Sequence, residues 1–222
     1  MMLSSFTHNR IARKPIRRFL GLALLMLFAG TASAAIGIDQ VVPKDQGTSS
    51  TTVTTAAFST TAANELLLAF VSADAPSSGT NTTVTGVTGG GVTWALVQRT
   101  NTQRGTAEIW SAFAPALLAN VTVKATLSRS TVSSMTVMTF TGVDTTGAAI
   151  GAKGTGNSST GAPTATLTTT RNNSLVIGVG DDWDNPINRT PGANQTVVHT
   201  DLSPTKDTYW VQRQNSATPA SG

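Results

Sequence analysis

The feature that most constrains the fold is a series of short segments in which apolar and polar residues alternate. These segments lie at 92–99, 106–113, 120–127 and 133–140. A period of two places successive side chains on opposite faces of a β-strand, and helical spacing is almost absent after residue 34. Two further segments, ELLLAFVS at 65–72 and SLVIGVG at 174–180, are apolar nearly throughout. We expect both to be central strands that are covered on both faces.

Turn-forming sequences such as DAPSSGTN, NTQRG and GNSSTGAP separate these segments at intervals of roughly 8 to 15 residues. The pattern predicts an all-β protein, a β-sandwich or jelly roll with about a dozen short strands. Almost no helix is expected apart from one turn at 116–120. The Thr-rich segment 47–64 is compatible with a disordered linker or with an edge strand near 52–58, and we favour the edge strand.

The first 34 residues have the composition of a secretory signal peptide. Basic residues precede a short apolar segment, FLGLALLMLFAG, and Ala32-Ser33-Ala34 offers a cleavage site before Ala35. The segment is shorter than the roughly 20 residues that span a bilayer, so we favour cleavage over a retained anchor. Arg17-Arg18 is a weak sign of twin-arginine export. We expect a secreted protein with a single domain at 35–222.

The charge of the secreted part argues against two classes of partner. Five of the 15 basic residues lie in the signal, whereas all 11 acidic residues lie beyond it. No cluster of Lys and Arg is left that would attract nucleic acid or an anionic membrane. The chain also has no cysteine, which excludes disulfides, thiol nucleophiles and cysteine-bound zinc.

An internal repeat is visible in the sequence. NELLLAFVSAD from Asn64 parallels NSLVIGVGDDW from Asn173, and LVQRTNTQRGTAEIW ending at Trp110 parallels VVHTDLSPTKDTYW ending at Trp210. After Trp110 the first copy continues with two more strands, whereas the sequence stops soon after Trp210. We therefore expect that about 20 to 25 residues, with one or two strands, are missing after the second copy. An open sheet edge would result, which a partner strand could also fill.

The segments NELLLAFVSAD, VTWALVQRTNTQRGTAEIWSAFAP and SLVIGVGDDWDNPINRTPGANQTVVH also carry a resemblance. Residues 35–222 resemble uncharacterised secreted bacterial β-sandwich domains of the type found beside fibronectin type III or immunoglobulin-like modules. The resemblance implies an extracellular location, a non-catalytic role at the cell surface and a last strand that this chain does not contain.

Candidate catalytic groups are few. His199 is the one histidine after the signal, and no G-x-S-x-G motif supplies a nucleophile for it. Glu65 and Glu108 are the two glutamates, and a glycosidase would need them about 5 to 10 Å apart. No spacing in the sequence links the two, so we do not expect an enzyme.

The segment VGDDWDNPINRTPG concentrates oxygen ligands of the kind that calcium prefers. Asp181, Asp182, Asp184 and Asn185 supply them, and the repeat would bring Asp74 to the same end of the domain. These residue types are also ordinary turn formers, and a solvated turn is the favoured interpretation. Calcium is the one cofactor that we consider.

Trp183 is the tryptophan that the pattern places in a loop, where its ring could stack on a sugar beside Asp181 and Asp182. The leading hypothesis is a secreted or cell-surface, non-catalytic module with a binding, adhesive or display role. Its partner would be a glycan or another cell-surface polymer, and further domains of a longer chain are expected. The alternatives are a jelly-roll enzyme acting on a polysaccharide and a structural module that assembles through an open sheet edge.

Overall fold

Two antiparallel β-sheets make up the structure, a computed structural model that describes residues 35–147, 149–183 and 185–221. This part of the chain contains no helix that could cross a membrane. The signal peptide predicted at 1–34 lies outside the described residues. The nine strands are β1 (Gly37–Thr54), β2 (Glu65–Ala73), β3 (Val84–Gly89), β4 (Ala95–Thr100), β5 (Thr106–Ala114), β6 (Val123–Thr141), β7 (Ile177–Asp182), β8 (Gln195–Leu202) and β9 (Thr208–Gln214).

The all-β, sandwich-like architecture is as predicted, but the strands of the described residues are fewer and longer than the expected dozen. β1 has 18 residues and β6 has 19. The segments at 120–127 and 133–140 were predicted as separate strands, and most of both belongs to the single strand β6. No glycine or proline lies between them, so nothing in the backbone forces a turn. The helical turn expected at 116–120 does not form.

The first sheet has the order β1-β6-β2-β5-β4, and β3 pairs with the N-terminal half of β6. β1 is an edge strand that pairs with both halves of β6. The Thr-rich segment is therefore partly strand, as favoured from the sequence, although the strand ends at Thr54. Phe58 continues the contact by an isolated bridge to Val121.

Strand β2 is buried on both faces, as its apolar sequence predicts. One face contributes to a cluster, here called the outer core, which includes Leu67 and Val71 of β2 with valines of β3 and of the N-terminal half of β6. The other face contributes to a second cluster, here called the inter-sheet core, between the two sheets. Its buried members are Leu66, Leu68, Phe70, Met138, Phe140 and Val211.

The second sheet has the order β7-β9-β8 and repeats the arrangement β2-β5-β4. In each unit the first strand pairs with the third, and the third pairs with the second. Asn64 and Asn173, which precede the two first strands, share a left-handed backbone, with φ of 60° and 58°. This common topology supports the predicted internal repeat at the level of strand order.

The two units also orient their side chains in the same way. Three residues of β2 and three at the corresponding positions of the second unit face each other across the inter-sheet core. The two sets are Leu66, Leu68 and Phe70, and Leu175, Ile177 and Val179. Trp110 packs against the outer core. Trp210 alternates with the inward-facing Val211 and so also faces away from the inter-sheet core.

The units differ at the edge of their first strand. β2 lies between β5 and β6, whereas β7 pairs only with β9 among the described strands. All nine residues of β2 are buried, but every residue of β7 is only partly buried. The prediction that 174–180 is a central strand covered on both faces is therefore wrong, because among the described strands β7 lies at a sheet edge and packs into a hydrophobic cluster through one face only.

The position of the second sheet over the first follows from the contacts between strands. β7 packs on β2 and β5, and β9 packs on β2 and β6. His199 of β8 contacts Asp45 of β1. The three-stranded sheet therefore lies over β1, β6, β2 and part of β5, and β4 extends beyond β7.

Candidate functional site at the end of β7

The C-terminal ends of β2 and β7 lie side by side at one end of the sandwich. The Ser72 hydroxyl donates a hydrogen bond of 3.0 Å to the carbonyl oxygen of Gly180. Asp74 follows β2, and Asp181 and Asp182 complete β7. The structure therefore brings Asp74 to the same end as the predicted loop.

Asp181 points towards the first sheet, and both of its carboxylate oxygens are buried. Neither oxygen has a hydrogen-bond partner among the described residues. A Cβ atom at Gly105 would lie only 2.0 Å from Oδ2 of Asp181, so the loop needs a glycine there. Burial raises the pKa of the Asp181 carboxyl well above its usual value, and the nearby Asp207, Asp74 and Asp182 raise it further.

Asp207 organises the turn before β9. Its Oδ2 accepts hydrogen bonds of 2.8 Å from the Tyr209 hydroxyl and from the Thr205 hydroxyl. Tyr209 is buried, and burial together with the charges of Asp181 and Asp207 raises the pKa of its hydroxyl. The phenol thus stays protonated and serves as a hydrogen-bond donor.

Asp182 and Asn185 take part in contacts that fix the loop after β7. Asp182 forms an ion pair with Arg189 and accepts a 3.3 Å hydrogen bond from the Asn185 amide. The Asn185 carbonyl accepts hydrogen bonds from Arg189 at 2.9 Å and from the Thr208 hydroxyl at 2.6 Å. The arginine also lies over the Trp210 ring, 5.4 Å from its centroid.

The calcium hypothesis finds no complete ligand set in the described part of the chain. Within 35–147, 149–183 and 185–221, no three His, Asp or Glu side chains are grouped so that they could hold a metal ion. Asp184, one of the predicted ligands, lies outside the described residues. Calcium binding therefore stays a prediction.

Trp183 is the most exposed aromatic side chain of this loop, with 43% of its surface accessible. The guanidinium carbon of Arg104 lies 5.6 Å from the ring centroid, at cation–π distance. Arg104 in turn donates hydrogen bonds to the carbonyl oxygens of Pro76 and Ser77. Two neighbouring loops thereby hold one face of the ring.

Glu108 is buried and has a full set of partners. Its carboxylate forms an ion pair with Arg99, with Nε and Oε1 2.7 Å apart. It also accepts hydrogen bonds from the Val84 backbone at 2.7 Å, the Trp110 indole at 3.0 Å and the Thr106 hydroxyl at 3.1 Å. Through these contacts the carboxylate links β3, β4 and β5.

Glu65 lies far from Glu108. In the β2–β5 pair, Glu65 is opposite Ala114 and Glu108 is opposite Val71. Six residues of extended chain separate the two positions, which corresponds to about 20 Å. A pair of glycosidase carboxyl groups must be within about 10 Å, so this pair cannot provide that chemistry.

His199 lies in a network that differs from a hydrolytic triad. Its Nε2 is 2.9 Å from Oδ1 of Asp45, and the same oxygen accepts a 2.8 Å hydrogen bond from the Ser134 hydroxyl. Burial of Asp45 opposes ionisation, but these hydrogen bonds prevail and lower the pKa of the carboxyl. The carboxylate therefore stands between the serine and the histidine, whereas a triad needs the histidine in the middle.

No protein-family model, curated protein or solved structure matches this chain. Sequence reasoning missed Arg104, Asp207 and Tyr209 as parts of this end of the sandwich. The repeat was the signal that could have found them, because it aligns the loop before β5, which holds Arg104, with the loop before β9, which holds Asp207.

Proposed function

We propose that the protein is an exported, non-catalytic β-sandwich module of the jelly-roll type that binds a glycan or another cell-surface polymer. The observation that carries the proposal is the exposed Trp183 ring, held on one face by Arg104 at the loop end of the sandwich. A rigid aromatic ring contributes contact area at a low cost in conformational entropy. Sugars present C–H faces that such a ring can contact.

The contacts and burial of the reactive side chains support a binding role over a catalytic one. Glu108 and the Asp45–His199 pair are engaged in contacts between strands. Asp181, two residues before Trp183, has its oxygens enclosed rather than directed at solvent. Among the exposed groups at this end, the Trp183 ring is the one that suits recognition of a sugar face.

A binding assay tests the proposal directly. The secreted chain is measured against soluble xylan, galactomannan and β-glucan and against insoluble cellulose, chitin and peptidoglycan. We expect Trp183→Ala to lose about tenfold in affinity for the polymer that binds, equivalent to about 1.4 kcal/mol. Arg104→Ala should lose less, because the ring remains and only its support is removed.

Ile187→Ala is the matched control. Ile187 lies in the same loop and is also exposed, but it has no ring to stack on a sugar. Equal losses for Trp183→Ala and Ile187→Ala would show a general loop effect and would contradict the proposal. So would the release of reducing sugar from any of these polymers, which would identify an enzyme.

A further inference from the structure

The free edge of β7 has a defined set of unpaired backbone groups. The amide of Gln214 donates to the carbonyl of Val176, directly opposite, so these two residues form a hydrogen-bonded pair. Such pairs alternate along an antiparallel ladder. The N–H and C=O groups of Ile177, Val179 and Asp181 therefore point away from β9. No other described strand pairs with them.

An apolar cavity lies beside this edge. It has a volume of about 450 Å³, within the range of ligand sites in proteins. Its walls include Ile177 of β7, Ile109 of β5 and Val97 of β4, and the irregular segment between β6 and β7 closes it on another side. Phe113 of β5 also faces this side of the first sheet and is 37% exposed. The uncovered part of the first sheet is thus next to the unpaired edge of the second.

The first repeat unit has a paired strand at the equivalent position. The edge of β2 that corresponds to the free edge of β7 is paired with β6, through residues 133–140. That segment is buried on both faces: Met138 and Phe140 belong to the inter-sheet core, and Met135 and Val137 belong to the outer core. A strand of the same kind beside β7 would satisfy the three outward-pointing residues and fill the cavity with its inward-facing side chains.

The shape of the molecule limits what can dock there. β4 extends beyond β7, and a folded second copy that approached with its own β7 edge would bring its own β4 and β5 into the same space. A single extended strand has no second layer, so it avoids this clash. We infer that the β7 edge is a docking site for one extended, uncharged polypeptide strand with alternating apolar residues, donated by another molecule.

A peptide with the sequence of residues 133–141, SSMTVMTFT, followed by two lysines and a fluorophore, tests the inference by fluorescence anisotropy. The wild-type protein should bind it, and a peptide with proline in place of its central valine should bind at least tenfold more weakly. Proline removes a backbone donor and interrupts strand pairing. Absence of binding to the wild type would overturn the inference.

Two protein variants locate the site. Val179→Pro removes an N–H that points away from β9, and we expect at least a tenfold loss of peptide binding. Thr200→Pro is the matched control, because by the same alternation its N–H points outward from β8 at the opposite edge. It should bind within about twofold of the wild type. Equal losses for the two would contradict docking at β7.

Val97→Asp keeps the inference testable if Val179→Pro does not fold. A carboxylate in the cavity wall should weaken peptide binding about tenfold while leaving β7 unchanged. A fluorescent fatty acid that binds the wild type and Val179→Pro alike, with no peptide binding, would show a small-molecule cavity and overturn strand docking. Trp183→Ala should bind the peptide normally, so this inference and the glycan proposal can fail independently.

Discussion

The two repeat units, β2-β5-β4 and β7-β9-β8, have the same strand order but very different surroundings. The first unit packs on both faces and is flanked by β6, whereas the second packs on one face, and no described strand flanks β7 on its other side. The same local pattern therefore gives a fully buried strand in one unit and a half-buried strand in the other. The burial of a strand depends on the strands packed around it. Two strands of similar sequence can therefore contribute differently to stability.

The largest expected difference between the units lies in the inter-sheet core. Phe70 of β2 is 1% exposed, and Val179 occupies the corresponding position of β7. Phe70→Ala should lower the free energy of unfolding by about 3 to 5 kcal/mol, because it leaves a cavity in a closed core. Val179→Ala should cost only about 1 kcal/mol. Urea denaturation followed by tryptophan fluorescence measures both, and similar losses would refute the asymmetry.

A second difference concerns the residue opposite each repeat tryptophan. Ala69 is opposite Trp110, whereas Gly180 is opposite Trp210. A Cβ atom at Gly180 would lie 2.1 Å from the Trp210 ring, so Gly180→Ala should destabilise the protein by about 1 to 3 kcal/mol. Gly178→Ala is the control in the same strand, since a Cβ there meets nothing within 4 Å. A neutral Gly180→Ala would mean that the two tryptophans pack alike.

The third difference is a buried acid at the position where the first unit has Ser72. Because the folded-state pKa of Asp181 is raised, its contribution to stability is present at low pH and is lost as pH rises through that pKa. The slope is at most about 1.4 kcal/mol per pH unit for one group. Asp181→Asn should be more stable than the wild type at neutral pH, and the gain should shrink in acid.

Asp45 acts in the opposite sense, since its lowered pKa makes its contribution disappear as pH falls through the folded-state value. The difference in stability between wild type and Asp181→Asn, measured by denaturation from neutral to acidic pH, cancels this background. A difference that does not vary with pH would show that the Asp181 carboxyl does not titrate with folding.

The smallest expected effect tests what the units share. Asn64 and Asn173 have the same left-handed backbone, which an alanine adopts at a cost of about 1 kcal/mol and a glycine adopts freely. Each Asn→Ala variant should be destabilised by about that amount, and each Asn→Gly variant should be nearly neutral. Thermal denaturation of the four variants should give equal losses for the two Asn→Ala variants and equal values for the two Asn→Gly variants. Unequal values within either pair would show that the two turns differ in strain.

Much of the fold could be predicted because it depends on local pattern. Alternation identified the segments that form β4, β5 and β6, apolar segments indicated β2 and β7, and the repeat aligned Asn64 with Asn173 and Trp110 with Trp210. The candidate site was harder to predict than the fold. The sequence pointed to the loop with Trp183, but it could not show that Arg104 holds the ring or that Asp181 is enclosed, since these contacts join residues 75 or more positions apart.

The sequence by itself determined that this protein is all-β, free of disulfides, internally repeated and poor in reactive side chains. These properties follow from residue type and spacing, which act within a strand or a turn. Only the tertiary structure decided which copy is buried, where the open edge lies and which carboxyl groups are engaged. Those properties depend on β6 lying beside β2 with no described counterpart beside β7, and a pairing between distant segments leaves no local periodicity to detect.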